Sequence, residues 1–346
     1  MWTRHAIVLF GLLIGLCGFA AVARAQDFHI DDVSAVRSVT VADIKPGAIE
    51  FSDHTGSGAV DSETALVHFD EWAEKHPNEK RFLALFPAYT EPAIGKSGSG
   101  GGTGPAIDRL YIYVAQARFV IDKTPGSIDL PRYVTLDFLQ KIDPAITHTQ
   151  ITAPDPTQFK DDAIAGNDNP DRKWCAGRTM SICIQSSYKL EGKIPMGVLL
   201  VNKLRDTKKV ADHIDFQSEL SALAPADLDQ PGLQELTGLN TPIAGALEQN
   251  IFYVNEIMKF GKLFAVFQND PADANKTVVT AFMTLAIKAS VLDDKRNFET
   301  MPVLRNLVPA QVLMGQSSFN SGNSISAGLP VYARNEIKTI AGLLAK

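Results

Sequence analysis

Cysteine is scarce in this chain, with three in 346 residues. That excludes a disulfide-built miniprotein and a cysteine-rich zinc array. A basic surplus is lacking too, since 33 Lys and Arg stand against 39 Asp and Glu for a net charge of -6. Such a balance does not neutralise phosphates, so nucleic acid and anionic membrane surfaces are disfavoured partners. Beyond the amino terminus no apolar run approaches the roughly 20 residues that cross a bilayer as a helix. Internal repeats and heptad runs are missing as well. What is there is an ordinary globular composition, 45% hydrophobic and 21% charged, with 25 Gly and 19 Pro, enough apolar material for a core.

The first residues, Met1-Trp-Thr-Arg-His5, lead into an apolar run from Ala6 to Val22 and then Ala23-Arg24-Ala25. A basic start, an apolar centre and small residues before the cut are the features a signal peptidase reads. The expectation is a signal peptide over residues 1–25, cleaved between Ala25 and Gln26, and export to the periplasm or the extracellular space. The competing reading of the run is a short membrane anchor. Cys17 follows Leu16, where lipid-modifying processing wants a small residue, so simple export is preferred. Cleavage removes Arg4 and Arg24 and no acid, which takes the net charge from -6 to -8. It also removes Cys17, leaving Cys175 and Cys183. Two cysteines this close in an exported chain invite a disulfide across a short hairpin, contributing about 2.5 kcal/mol by loop entropy.

Along the remaining chain, short apolar alternations around Ser38–Val41 precede a turn-rich break. Asp61 or Ser62 caps an expected helix running to about His76, stopped by Pro77. Arg81 to Tyr89 reads as a strand. Residues 95–104 hold six glycines in ten, too flexible for a regular element. Arg109 to Ile121 is a strand and Val134 to Ile142 a helix. Between Asp143 and Arg172 the composition turns to Pro, Asp, Asn and Thr, which suggests a linker or long excursion, placed at 151–172, between a part over 26–150 and a part over 173–346. Thr179 to Leu190 and Ile194 to Leu204 read as a hairpin around Glu191-Gly-Lys193. Asp206 to Leu223 is ambiguous. Thr241-Pro242 opens an expected helix over Ile243 to Phe260. Lys262 to Gln268 and Thr277 to Val291 look like a second hairpin around Asn269–Asn275, although the latter segment also fits a buried helix. Pro330 opens an amphipathic helix with Ala333, Ile337, Ile340, Ala341 and Leu344 on one face. Hairpins mixed with helices, without βα alternation, argue for an α+β fold of antiparallel strands packed with several helices, with two sub-domains as one form of it.

Chemical motifs are few. Thr90-Glu-Pro-Ala-Ile-Gly-Lys-Ser97 resembles the end of a phosphate loop but lacks its first glycine and its helix. No Gly-x-Ser-x-Gly elbow exists, since Ser57, Ser97, Ser99 and Ser317 each fail at a glycine position. Ser186-Ser-Tyr-Lys189 matches Ser-x-x-Lys, but Ser186 falls in an expected strand, where the lysine cannot lie one helical turn away. Among His29, His54, His68, His76, His148 and His213 no pair has the zinc-binding helical spacing. His68 and Glu71, one turn apart in the expected helix, are the candidate acid/base pair, set against a solvated face with a Glu71 to Lys75 ion pair. Asn167, Asn169 and Asp171 have the alternate spacing of a calcium loop, but Arg172 and Arg178 occupy its glycine and bidentate-acid positions. Asn275-Lys-Thr277 is a glycosylation sequon.

These readings expect neither metal nor cofactor. They favour an exported, non-enzymatic protein that binds an apolar or amphipathic small molecule or an envelope component. Curved antiparallel strands closed by a carboxyl-terminal helix can enclose such a ligand, as a helix-grip arrangement does. A hydrolase with a site near His68 and Glu71 is the second reading, and a structural or partner-binding role in the cell envelope the third.

Overall fold

The computed structural model describes residues 27–53, 67–68, 110–155, 174–176, 180–189, 213–254, 258–288 and 325–346. The signal sequence, the glycine-rich segment 95–104, Glu71, the Arg81–Tyr89 strand and the calcium-like stretch lie outside them. The spine of the fold is the strand over Leu110–Ile121, whose residues alternate between two buried faces. Tyr113, Ala115, Ala117 and Phe119 point to one core and Ile112 and Val114 to another, as the two-residue period of a strand requires.

Ten strands join in one sheet. They are β1 (His29–Asp32), β2 (Ala48–Asp53), β3 (Val67–His68), β4 (Leu110–Ile121), β5 (Ile146–Ile151), β6 (Ser181–Lys189), β7 (His213–Leu223), β8 (Ile243–Val254), β9 (Met258–Asn269) and β10 (Thr277–Lys288). Their spatial order is β1-β2-β4-β10-β9-β8-β7-β6-β5, with β3 also paired to β4. Only β1 and β2 run parallel, and the remaining pairs are antiparallel. Three α-helices complete the described residues: α1 (Leu136–Ile142), α2 (Gln230–Thr237) and α3 (Ile325–Leu344). The architecture is therefore mixed α and β, as expected, but dominated by its sheet rather than by several helices.

Each helix end has a local cause. Thr135 caps α1 by accepting the Phe138 amide at 3.2 Å, and Asp229 caps α2 through Gly232 in the same manner, which satisfies otherwise orphaned donors. Gly238 ends α2 with φ +68°, a left-handed conformation that glycine adopts without a Cβ penalty. On the outer face of the sheet, Leu233 of α2 packs with Ile243, Phe264, Val266 and Phe282. On the inner face, Ala333, Ile337, Ala341 and Leu344 of α3 are buried with residues from β2, β4, β6, β7, β8, β9 and β10. The apolar stripe read from the sequence thus faces the core. Helix α3 touches β1, β2 and β4 directly, and also α1, which packs on the last strand β5. Both ends of the sheet approach one helix, so the sheet curls around α3.

Several expectations are corrected. Ile243 to Phe260 is not a helix but β8 and the start of β9. Both faces of β8 are buried, Ala246 and Asn250 on one and Leu247 and Ile251 on the other, so the alternation carries no polarity contrast. The short apolar alternations around Ser38–Val41 fall in 3-10 turns at Val36–Ser38 and Val41–Asp43. Val67 and His68 lie in a strand paired with Ile112 and Tyr111, not in a helix. The polar stretch after Asp143 contains β5. Strand β6 has β5 and β7 as its two neighbours, and the expected hairpin partner 194–204 lies outside the described residues. Helix α3 starts at Ile325, with Pro330 inside it. The β9–β10 hairpin forms as expected, and Thr277–Lys288 is a strand.

Candidate functional site

The site is defined by how α3 is held over the inner face. On one flank, Arg334 donates from Nη2 to Asp32 Oδ1 at 2.6 Å and from Nη1 to Asp53 Oδ2 at 3.3 Å. Its guanidinium lies over the Phe51 ring, 4.3 Å from the centroid, and Tyr113 donates to the same Asp53 oxygen. This planar fork anchors the helix to β1 and β2.

The opposite flank carries Tyr332 and Glu336, each two residues from Arg334 and so about 160° around the helix from it at about 100° per residue. The Tyr332 hydroxyl donates to Glu336 Oε1, while Glu336 Oε2 is buried without a hydrogen-bond partner. Glu336 is only 8% exposed. Burial raises its carboxyl to about 7, the Tyr332 hydrogen bond opposes that shift, and the charge of Asp143 adds to it. Burial also raises the Tyr332 phenol, helped by Glu336, Asp143 and Tyr188. Asp143 follows α1 as its carboxyl-terminal cap, and Tyr188 lies on β6.

The antiparallel register sets His148 of β5 opposite Ser186 of β6. His148 Nδ1 and Ser186 Oγ are 2.9 Å apart, and the serine is fully buried. His148 Nε2 is buried without a partner. Whichever tautomer the imidazole takes, one nitrogen serves Ser186 and the other retains an unused donor or acceptor. Burial lowers the His148 pKa against the opposing charge of Asp143, so the ring is neutral at neutral pH. One strand pair further in, Gln249 donates to Ser218 Oγ at 3.1 Å. Around these groups the inner face is apolar, with Ile184, Leu220, Leu247 and Leu285 in the same core as α3.

Gly261 of β9 lies in this apolar floor. A Cβ there would meet Ile251 Cδ1 at 2.8 Å and Leu285 Cδ2 at 3.0 Å. The absent side chain lets the two neighbours close over the strand.

The residues singled out from sequence are dispersed. His68 is on β3, where a strand removes the helical spacing that linked it to Glu71, itself outside the described residues. Ser186 sits in β6, so the Ser-x-x-Lys pattern has no helical turn. Cys175 and Cys183 are brought to disulfide distance, with a Cα separation of 5.3 Å. They lie on the outer face, where Trp174 stacks on Phe252 with centroids 4.7 Å apart, and where the Cys175 amide donates to Glu219. Nearby, Lys262 Nζ donates to Asn250 Oδ1 at 2.5 Å and Asn250 donates to Glu248. That buried chain balances its own acid with its own amine. Among the described residues, no group of three or more His, Cys, Asp or Glu is placed to hold a metal, and no helix is long and apolar enough to cross a membrane.

No protein-family model and no curated protein matches the chain. Among solved structures, it is similar to the Zhui aromatase/cyclase from Streptomyces sp. R1128, with a TM-score of 0.32 and 9% identity over 67% of this chain and 93% of that one. It is also similar to human STARD10, with a TM-score of 0.27 and 7% identity over 69% of this chain and 71% of that one.

Proposed function

We propose that this is an exported binding protein for an amphipathic small molecule, held between the inner sheet face and α3. The observation that carries the reading is a pair of buried, unused hydrogen-bonding atoms, Glu336 Oε2 on the helix that contributes to the apolar inner core and His148 Nε2 on the edge strand β5. Leaving such groups unpaired costs about 1–3 kcal/mol each, and a ligand that pairs with them recovers that cost. An apolar body with one polar end matches a site built from apolar walls and a few convergent polar groups. Acyl transfer fits less well. The His148–Ser186 contact uses Nδ1, and among the described residues no carboxylate is hydrogen-bonded to Nε2 to orient the ring for that chemistry.

Native mass spectrometry of the full chain, purified from its own host, tests the reading. A retained small-molecule adduct that is released on denaturation is expected. An unliganded mass, together with no uptake of medium-chain alcohols or amines on incubation, overturns it.

A further inference from the structure

The polar end of the site is one-sided in charge. Glu336 comes from α3, with Tyr332 on the same helix. Asp143 comes from the end of α1, His148 from β5 and Tyr188 from β6. Among the described residues, the charged side chains that act on Glu336, on Tyr332 and on His148 are acids. Among the described residues, Arg334 is paired with Asp32 and Asp53 on the far flank and Lys141 with Asp137 at 2.9 Å on the solvent side of α1. Lys338, two residues beyond Glu336, is exposed.

A buried carboxyl beside a second acid is stabilised as an anion by hydrogen-bond donors and, most strongly, by a positive partner. Glu336 Oε2 is the atom such a partner can reach, since Oε1 is already taken by Tyr332. A carboxylate or phosphate head would meet two acids and no counter-charge. A hydroxyl head would pair with the unused atoms but leave the acidic field unbalanced. From the unpartnered Glu336 oxygen and the acids that surround it among the described residues, we infer that the ligand's polar end is a protonated amine, held by the ionised Glu336 with His148 Nε2 as a neutral acceptor.

The inference rests on the binding reading above and specifies its ligand class. Glu336 releases its proton to solvent as the ammonium group enters, so amine affinity depends on pH while alcohol affinity does not.

Calorimetric titration of the full chain with decylamine, decanol and decanoate at pH 6 and pH 8 separates the two claims. The amine is expected to bind most tightly, with an apparent Kd about tenfold lower at pH 8 than at pH 6, because the ionised fraction of a group titrating near 7 rises about tenfold over that span. Glu336→Gln is expected to abolish both the amine preference and its pH dependence while decanol still binds. A thermal melt shows whether that variant folds, and His148→Gln supplies a second variant, expected to weaken the amine severalfold. Equal affinity for amine and alcohol, or tighter binding of decanoate, overturns the amine inference and leaves the binding reading standing. No binding of any of the three overturns the binding reading itself.

Discussion

Tyr332 donates its hydroxyl hydrogen to Glu336 one helical turn away, on the flank of α3 near Asp143 and Tyr188. The hydrogen bond favours the ionised carboxyl, yet burial wins and the group titrates at about 7.

That balance has a consequence for stability. The folded state holds the Glu336 proton more tightly than the unfolded chain, whose carboxyl has the ordinary value of 4.5. Its contribution is therefore full below about pH 4.5, declines as pH rises, and is lost above about pH 7. The span corresponds to about 3 kcal/mol. Urea unfolding at pH 5 and pH 8 is expected to show this loss in the wild-type chain and not in Glu336→Gln, which keeps an acceptor for Tyr332 without a charge. Equal slopes with pH in the two proteins would count against a buried, proton-binding Glu336.

On the other flank, Arg334→Ala is expected to destabilise the fold by about 3–5 kcal/mol, because Asp53, whose side chain is 1% exposed, loses its guanidinium partner. Arg334→Lys restores little, since an ammonium cannot reach two carboxylates as a fork while lying flat on Phe51. Denaturant midpoints of the three proteins check this; full recovery by lysine would contradict it.

Reduction of the Cys175–Cys183 pair removes a constraint across a sequence separation of 8 residues. The expected loss is about 2–3 kcal/mol, with a change in near-ultraviolet circular dichroism as Trp174 loosens from Phe252. A melting temperature unchanged by reductant, with thiol labelling verifying that the bond was open, would show that the staple is dispensable.

Gly261→Ala places a methyl group against Ile251 and Leu285 in the floor of the inner face. Overpacking of this kind costs about 1–3 kcal/mol. Gly261→Leu is expected to cost more and to block ligand uptake, measured by calorimetry beside the unfolding curves. Undiminished uptake by a folded leucine variant would move the ligand away from this floor.

How far these features were legible in sequence depends on the contrast each segment carries. The turn Asn269–Asn275 between β9 and β10 is rich in Asp, Asn and Pro, and the apolar stripe of α3 has a clean helical period. Both could be read. Strand β8 could not, because burial on both faces erases alternation, and the register shift between Ile243 and Gly245 breaks what pattern is left. Helix α2 had signals, with Asp229 before Pro231 and Gly238 at its end, but it spans only eight residues. The site itself was hidden by distance along the chain. His148 and Ser186 are 38 residues apart and meet only through the β5–β6 register, and Glu336 comes from the far end. One local sign was present: an acid at position 336 inside the apolar stripe, beside Ile337 and between Ala333 and Ile340.

The location of the ligand is tested most directly by nuclear magnetic resonance of the chain carrying decylamine, through nuclear Overhauser contacts from the alkyl protons to assigned methyl groups. The account predicts contacts to Leu220, Ile251 and Leu285 on the inner face, with the amine-bearing methylene near His148. Contacts instead to Ile112, Val266 and Leu233 on the outer face would contradict it.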